Sequence, residues 1–484
     1  VGNYIFEQLT SLGIKTEIQT TTVINPRGEV PLAAGNVRNI LGKLDGTASR
    51  KSILLVAHYD SVKNGPGASD NGAGVAGLIE TARALKDSLP LKNNVIFLFT
   101  DGEEVGFLGA KAFIDEHPWA KEVGLVLNFE ARGNSGPSVM FETSDNNGWL
   151  IPEFAASVKH PVATSLTYSI YKILPNDTDL TIFKEAGLTG LNFAYLKGVV
   201  YYHTLSDNLK NINERSLQHH GDYALALTGH FGRLNLEKTQ KSDAIYFDIL
   251  GKILVYYPEN WSYSLTTVVL ILFIAVITLG LSKKLLKFSG ITFGFFAFLL
   301  NIIIVFGIVT LVWWIIGNLY NYKSIPQGDT YNSNFYVISF IALATAITSV
   351  LYIWFRKKIS ILNLTIGALL WWVILMVLTT LYLPGASYLF TWSLLFSLFG
   401  LGIIFAARPH KYLLEKKFVL LSICAIPGIV LFAPTIYLLF MALTLNLSGV
   451  VIIWVVFFLG LLIPHFYLIT ATKKWFLPTV SLLI

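Results

Sequence analysis

The chain has 484 residues, 54% of them hydrophobic and 14% charged, and a formal net charge of +6. Residues 1–262 hold 23 Lys and Arg against 28 Asp and Glu, and residues 263–484 hold 13 against 2, Asp329 and Glu415. The positive net charge is therefore no sign of a nucleic-acid partner; it joins a mildly acidic segment to an apolar one with basic loops.

Residues 1–14 place Ile5, Leu9 and Leu12 at helical spacing, with Gly13 as a stop. Residues 15–24 and 36–44 read as strands joined by a Pro-Arg-Gly turn at Pro26. From Ser52 to Glu104, two apolar runs, 53–57 and 95–100, flank a Gly-rich loop and a helical pattern over 72–88. That order is a strand-loop-helix-strand unit, which implies parallel strands. A short helix over 106–117 follows, then a strand over 124–129 that runs into Glu130. Helices are expected over 148–160, 178–187 and 213–236, and a strand over 190–194. The fold class is an α/β domain with a mixed, mainly parallel sheet flanked by helices, over residues 1–262.

From residue 263 the texture changes. Apolar runs recur at 264–282, 288–316, 335–355, 359–383, 386–407, 418–443 and 449–470. Each has about the 20 residues that cross a bilayer as a helix, so residues 263–484 read as a transmembrane domain of about seven helices. Pro427 and Pro434 mark the sixth run as kinked or re-entrant. Lys283, Lys284 and Lys287 follow the first run; Arg356, Lys357 and Lys358 the third; Arg408, Lys411, Lys416 and Lys417 the fifth; Lys473 and Lys474 the seventh. By the positive-inside rule these loops are cytoplasmic and the α/β domain lies on the other side, periplasmic, extracellular or lumenal. The runs are nearly free of ionisable residues, which argues against ion-coupled transport.

In open α/β sheets, ligands bind at the carboxyl ends of the strands. His58, Asp60, Asp70, Asp101, Glu103, Glu104 and Glu130 all fall at or just beyond such ends, and His203 follows the 190–194 strand. Catalytic zinc takes His nitrogen and carboxylate oxygen and keeps a position open. Two ions about 3.5–4 Å apart can share a carboxylate. Such a centre needs about five ligands and a free carboxylate as base, and His58, Asp70, Glu104, Glu130 and His203 with Glu103 supply that inventory. The single cysteine, Cys424, excludes a thiolate zinc site and an intrachain disulfide. Singly, each motif is commonplace: a His-x-Asp on a surface, a Glu-Glu at a helix start, an Asp-Asn-Gly turn. Their order, each at a strand end, is not.

The segments HYDSV, GASDNGAGVAGLIETAR, FTDGEEVGFLGAKAF, NFEARG and YYHTLSDN resemble the co-catalytic di-zinc aminopeptidases of metallopeptidase family 28. The resemblance covers residues 1–235. With a multi-span half following, the layout is similar to a membrane branch that includes vacuolar membrane proteases and endoplasmic reticulum metallopeptidases. The resemblance implies two Zn2+ per chain. His58 and Glu130 would hold one ion, Glu104 and His203 the other, and Asp70 would bridge them. Glu103 would be the general base and Asp60 would orient His58. Tyr202 would stabilise the oxyanion or be a half-buried tyrosine. Asp179 would fix a substrate α-amine or cap a helix. Arg132 would meet a substrate carboxylate or oxyanion, or form an ordinary ion pair. Many soluble members carry Asp where Glu130 stands. The membrane branch also implies a further span before Val1.

The expectation is a membrane-anchored zinc exopeptidase, an aminopeptidase, with peptide substrates and the lipid bilayer as its partners. Two readings compete with it. One is a glutaminyl-cyclase-like acyltransferase working with one zinc; the other is a non-catalytic ectodomain that binds a partner.

Overall fold

A computed structural model of the chain describes all residues except 27–32, 49–50, 89, 326, 408–413, 473–474 and 484. Arg27 and Gly28 of the expected turn, and the loop cations Arg408, Lys411, Lys473 and Lys474, lie outside the described residues. The chain divides into two units, Val1–Glu259 and Asn260–Ile484.

In the first unit the elements run α1 (Gly2–Ser11), β1 (Lys15–Asn25), β2 (Ala33–Leu44), β3 (Ser52–His58), α2 (Gly72–Lys86), β4 (Asn94–Thr100), α3 (Leu108–Glu116), β5 (Val123–Ala131) and β6 (Val139–Thr143). They continue as α4 (Leu150–Ser157), α5 (Ser165–Tyr171), α6 (Asp179–Glu185), β7 (Gly190–Tyr195), α7 (Glu214–Phe231), β8 (Ala244–Ile249) and β9 (Ile253–Pro258). Seven strands form one sheet in the order β1-β2-β4-β3-β5-β7-β6, and β8 and β9 form a separate hairpin. The four central strands are mutually parallel, and β1, β2 and β6 pair antiparallel at the edges.

The central strands are buried on both faces, so they read as unbroken apolar runs. The pleat sorts their side chains with a period of two. Ile53, Leu55, Ala57, Val95, Phe97 and Phe99 pack with α1, α2, α4 and α7 through residues such as Leu9, Leu78, Phe154 and Leu227. Leu54, Val56, Ile96 and Leu98 pack on the opposite face with Ala110 and Phe113 of α3 and Phe183 of α6. The result is a sheet with a helical layer on each face, and the polar ends of β3, β4 and β5 emerge together at one edge.

The second unit is helical: α8 (Trp261–Ser282), α9 (Phe288–Leu319), α10 (Ser333–Phe355), α11 (Ile361–Tyr382), α12 (Ser387–Ala406), α13 (Leu414–Leu443), α14 (Ser448–Leu461), α15 (Ile463–Thr472) and α16 (Phe476–Leu483). Among the described residues six helices, α8 to α13, are long and apolar enough to cross a membrane. A 22-residue helix such as α8 spans about 33 Å. Val268, Ile271 and Ile274 of α8 are mostly exposed, as a lipid-facing surface requires. Buried polar side chains pair between helices: Asn301 with Thr348 at 3.2 Å and Thr266 with Thr380 at 2.8 Å.

The seventh apolar run holds two helices, α14 and α15, which meet at Leu462. Pro464 lies in the first turn of α15, where its missing N–H costs nothing; inside a continuous helix it would have removed a bond and clashed with the preceding turn. The sixth run is a single helix, α13, with Pro427 and Pro434 inside it.

Candidate metal centre

Three parallel strands deliver the first side chains. β3 ends on His58 and β4 on Thr100, which are register partners, and β5 carries Glu130 as its penultimate residue. His58 and Glu130 are buried. The loop after β3 returns to this edge and presents Asp70 just before α2. Gly67, at a φ of +68°, lets it turn; a Cβ there would stand 2.7 Å from Asp70 O and from the Ser61 Cβ. Asn71 caps α2 by accepting from the Gly74 N–H at 3.1 Å. Its Nδ2 donates to the Phe129 carbonyl at 2.6 Å and faces Glu130 Oε2 at 3.3 Å, so the cap also ties the Asp70 loop to β5.

Two groups of metal-competent atoms result. His58, Asp70 and Glu130 form one, and Asp70, Glu104 and His203 the other, with ligand atoms in each within 4.8 Å of one another. His58 Nε2 lies 3.2 Å from Asp70 Oδ1 and 3.4 Å from Glu130 Oε2. His203 Nε2 lies 3.1 Å from both Asp70 Oδ2 and Glu104 Oε2. Asp70 thus directs one oxygen at each histidine. His203 Nε2 and Glu104 Oε1 are buried and make no hydrogen bond of good geometry. Buried polar atoms without a partner are rare in folded chains. Both belong to residues of the second group, and the mixed imidazole and carboxylate donor set suits zinc.

The surrounding bonds hold these ligands in place. Asp60 accepts the backbone N–H of Glu103 at 3.1 Å and that of Glu104 at 3.2 Å. The expectation that its carboxylate orients His58 needs refinement. His58 Nδ1 is 3.1 Å from the Asp60 carbonyl and 3.5 Å from its carboxylate, whose bonds go to the two N–H groups. Asn128 Nδ2 donates to Glu130 Oε1 at 3.0 Å and to Asn192 Oδ1 at 3.1 Å. Sequence reasoning did not single out Asn71 or Asn128. Asn128 precedes Glu130 by two positions on one strand and therefore shares its face, and that signal could have found it.

Asp179 is the first residue of α6, fully buried, and accepts from Thr100 Oγ1 at 2.5 Å. The helix N-cap is Thr178, so Asp179 is not the cap. Its Oδ1 has no hydrogen-bond partner. Burial, opposed by Thr100 and reinforced by Glu130, pushes its carboxyl up to about 7. Tyr202 stacks on His203 with ring centroids 3.7 Å apart, and burial, then Asp70 and Glu104, push its phenol up. Arg132 follows β5, and its backbone N–H donates to the Tyr195 carbonyl at 3.1 Å; it belongs to neither ligand group. Tyr171, which sequence reasoning passed over, has a buried hydroxyl without a hydrogen-bond partner; burial, Glu142, Asp177, Glu130 and Glu103 raise it.

Loss of hydration drives Glu103 well above the carboxylate range; His58 opposes this, and Glu130, Asp179 and Asp70 add to it. Burial alone would lower His58, but Glu130, Glu103, Asp60 and Asp70 outweigh it and raise the imidazole. For His203, burial is likewise outweighed by Asp70 and Glu104, which hold it at about 9. This edge is therefore a concentrated negative field, the setting in which a dication is stabilised.

Residues 39–228 match the family description Peptidase family M28. This segment is similar to peptidase family M28. The M28 segment and its flanks are similar to endoplasmic reticulum metallopeptidase 1 of Mus musculus, 31% identical over 261 residues, which cover 52% of this chain and 29% of that protein. They are also similar to the vacuolar membrane protease of Candida dubliniensis, 36% identical over 217 residues, covering 44% of this chain and 23% of that protein. The chain thus spans less than a third of the length of these relatives. Among solved structures, Porphyromonas gingivalis glutaminyl cyclase is 20% identical with a TM-score of 0.38, covering 47% of this chain and 88% of that one. The zinc aminopeptidase BSAP from Bacillus subtilis is 23% identical with a TM-score of 0.34, covering 43% and 53%.

Proposed function

We propose that the first unit is a zinc-dependent exopeptidase of the aminopeptidase type, carried by a multi-pass membrane chain and acting on peptides on the non-cytoplasmic side. The observation that carries this reading is the pair of ligand groups that share Asp70, with the Glu103 carboxyl beside them. His58, Asp70 and Glu130 would hold one Zn2+, and Asp70, Glu104 and His203 the second. When bound, the two ions supply Lewis acidity, acidifying the attacking water and polarising the scissile carbonyl.

The remaining steps belong to the chain. Glu103 takes the proton of the attacking water and delivers it to the leaving amine, the two transfers a single carboxylate can make as base and then acid. Asp60 fixes the direction of Glu103 through its backbone N–H. The open oxygen of Asp179 is a receptor for a substrate ammonium. Tyr202, held flat against His203, offers a hydroxyl to developing negative charge on the carbonyl oxygen. Arg132 is the remaining candidate for a substrate carboxylate. Two separate ligand groups favour this hydrolase over a one-zinc acyltransferase, and the full ligand set favours it over a non-catalytic ectodomain. The basic loops after the first, third and fifth spans support the non-cytoplasmic placement.

The test is a peptide panel in which each sequence is offered with a free and with an acetylated N-terminus. The reading predicts release of the N-terminal residue from free peptides alone. Equal cleavage of both sets would remove the aminopeptidase assignment, and cyclisation of N-terminal glutamine without hydrolysis would replace it with the acyltransferase.

A further inference from the structure

Asp207 lies in the loop that follows His203 and is buried, 3% exposed. Its Oδ1 accepts the Ser69 backbone N–H at 2.7 Å, and its Oδ2 accepts that of Asp70 at 3.1 Å. Its carbonyl accepts the Ala68 N–H at 3.2 Å. Three successive donors on the approach to Asp70 therefore end on one residue 137 positions later. Asp207 is also fixed with respect to His203. Its own N–H donates to the Thr204 carbonyl at 3.0 Å, and Thr204 Oγ1 donates to Tyr201 O at 2.8 Å while accepting from the Ser206 N–H at 3.2 Å.

The topology gives this contact its weight. The Asp70 loop leaves β3 and the His203 loop leaves β7, and β5 stands between those strands in the sheet. No strand ladder therefore sets the distance between the two loops, yet Asp70 Oδ2 and His203 Nε2 sit 3.1 Å apart within the second ligand group. An ionised carboxylate gripping two consecutive N–H groups makes charge-assisted bonds with fixed direction. Asp60 uses the same device on Glu103 and Glu104.

We propose that Asp207 is a positioning residue for the metal held by Asp70, Glu104 and His203, setting the spacing between the loops that supply two of its three ligands. The inference rests on the two-ion reading above. It distinguishes the two groups: His58, Asp70 and Glu130 are also tied through Asn71, Asn128 and β5, whereas His203 depends on the loop that Asp207 anchors.

The experiment titrates the metal-free, detergent-purified full chain with Zn2+ and, in parallel, with Co2+ followed by its visible absorption. Wild type, Asp207→Asn and Asp207→Glu are compared. Asparagine keeps the size but offers one acceptor oxygen and turns a donor amide towards the second N–H. Losing such a partner typically weakens metal binding roughly 10–100-fold. The expected result is that loss on the second ion, with a smaller loss on the first, which shares Asp70 but is also tied through Asn71 and Asn128, and kcat recovered by excess Zn2+. Asp207→Glu keeps both acceptors but shifts them by one methylene, so it shows the same selectivity to a smaller degree. It carries the test if the Asn variant does not fold. Wild type binding two ions while the variants bind both unchanged, or lose both equally, would overturn the inference and leave Asp207 a plain loop staple. Wild type binding fewer than two ions would instead remove the reading on which it rests.

Discussion

Asp60 Oδ1 accepts the backbone N–H of Glu103 at 3.1 Å. A loop carboxylate just beyond β3 thus sets the direction of the residue proposed as general base, while its Oδ2 takes the N–H of Glu104, a candidate metal ligand, at 3.2 Å. Asp60→Asn replaces one acceptor with a donor and leaves one of these N–H groups opposed by an amide. The rate of peptide hydrolysis should fall roughly 10–100-fold, with a change in kcat larger than that in KM. Unchanged kcat would show that Glu103 is positioned by other means.

His220 on α7 is buried at 1% exposure, 2.8 Å from Ser138 Oγ through Nδ1, and edge-on to Phe129 and Tyr195. Burial, then the neighbouring His219, holds its pKa down to about 3. Between that value and about 6.5 the unfolded chain carries a proton here that the folded chain does not. The contribution to stability is complete above about 6.5 and is lost as pH falls through it. From pH 7.5 to 5.0 the loss is about 2 kcal/mol. The thermal midpoint of His220→Gln should therefore fall less over this range than that of wild type. Parallel pH profiles would contradict the assignment.

In the second unit α9 and α11 meet through glycines. A Cβ on Gly367 would stand 2.3 Å from the Gly294 carbonyl carbon and 2.4 Å from the Phe295 nitrogen, both backbone atoms that cannot rotate away. Gly367→Ala should overpack this crossing by about 1–3 kcal/mol and lower the thermal midpoint in detergent without altering zinc stoichiometry. Gly307→Ala is the control, because a Cβ there meets nothing within 4 Å; it should leave the midpoint level or raise it.

The candidate metal ligands were legible because chemistry and topology coincide in them. His58, Asp70, Glu104 and Glu130 interrupt or follow apolar strand runs, and a parallel sheet gathers such ends at one edge. Asp207 and Asn71 were not legible, because what they do is accept or donate to backbone groups that only folding brings near, such as Asp207 to Ser69 and Asn71 to Phe129. The elements missed were short: β6 has five residues and α5 seven, and β8 opens with four buried residues in a row and no alternation. In the second unit apolar length alone marked α8 to α13 as spans. The same signal does not register the break at Leu462 between α14 and α15, beside Pro464.

The most direct test of the account measures bound zinc and peptide hydrolysis on the same purified sample, wild type beside Glu103→Gln. The account predicts two Zn2+ per chain in both proteins, and hydrolysis that falls roughly 10²–10⁴-fold in the variant, the range associated with a general acid–base group. Full activity in Glu103→Gln at unchanged zinc, or a wild type that holds two Zn2+ and cleaves no peptide, would contradict it.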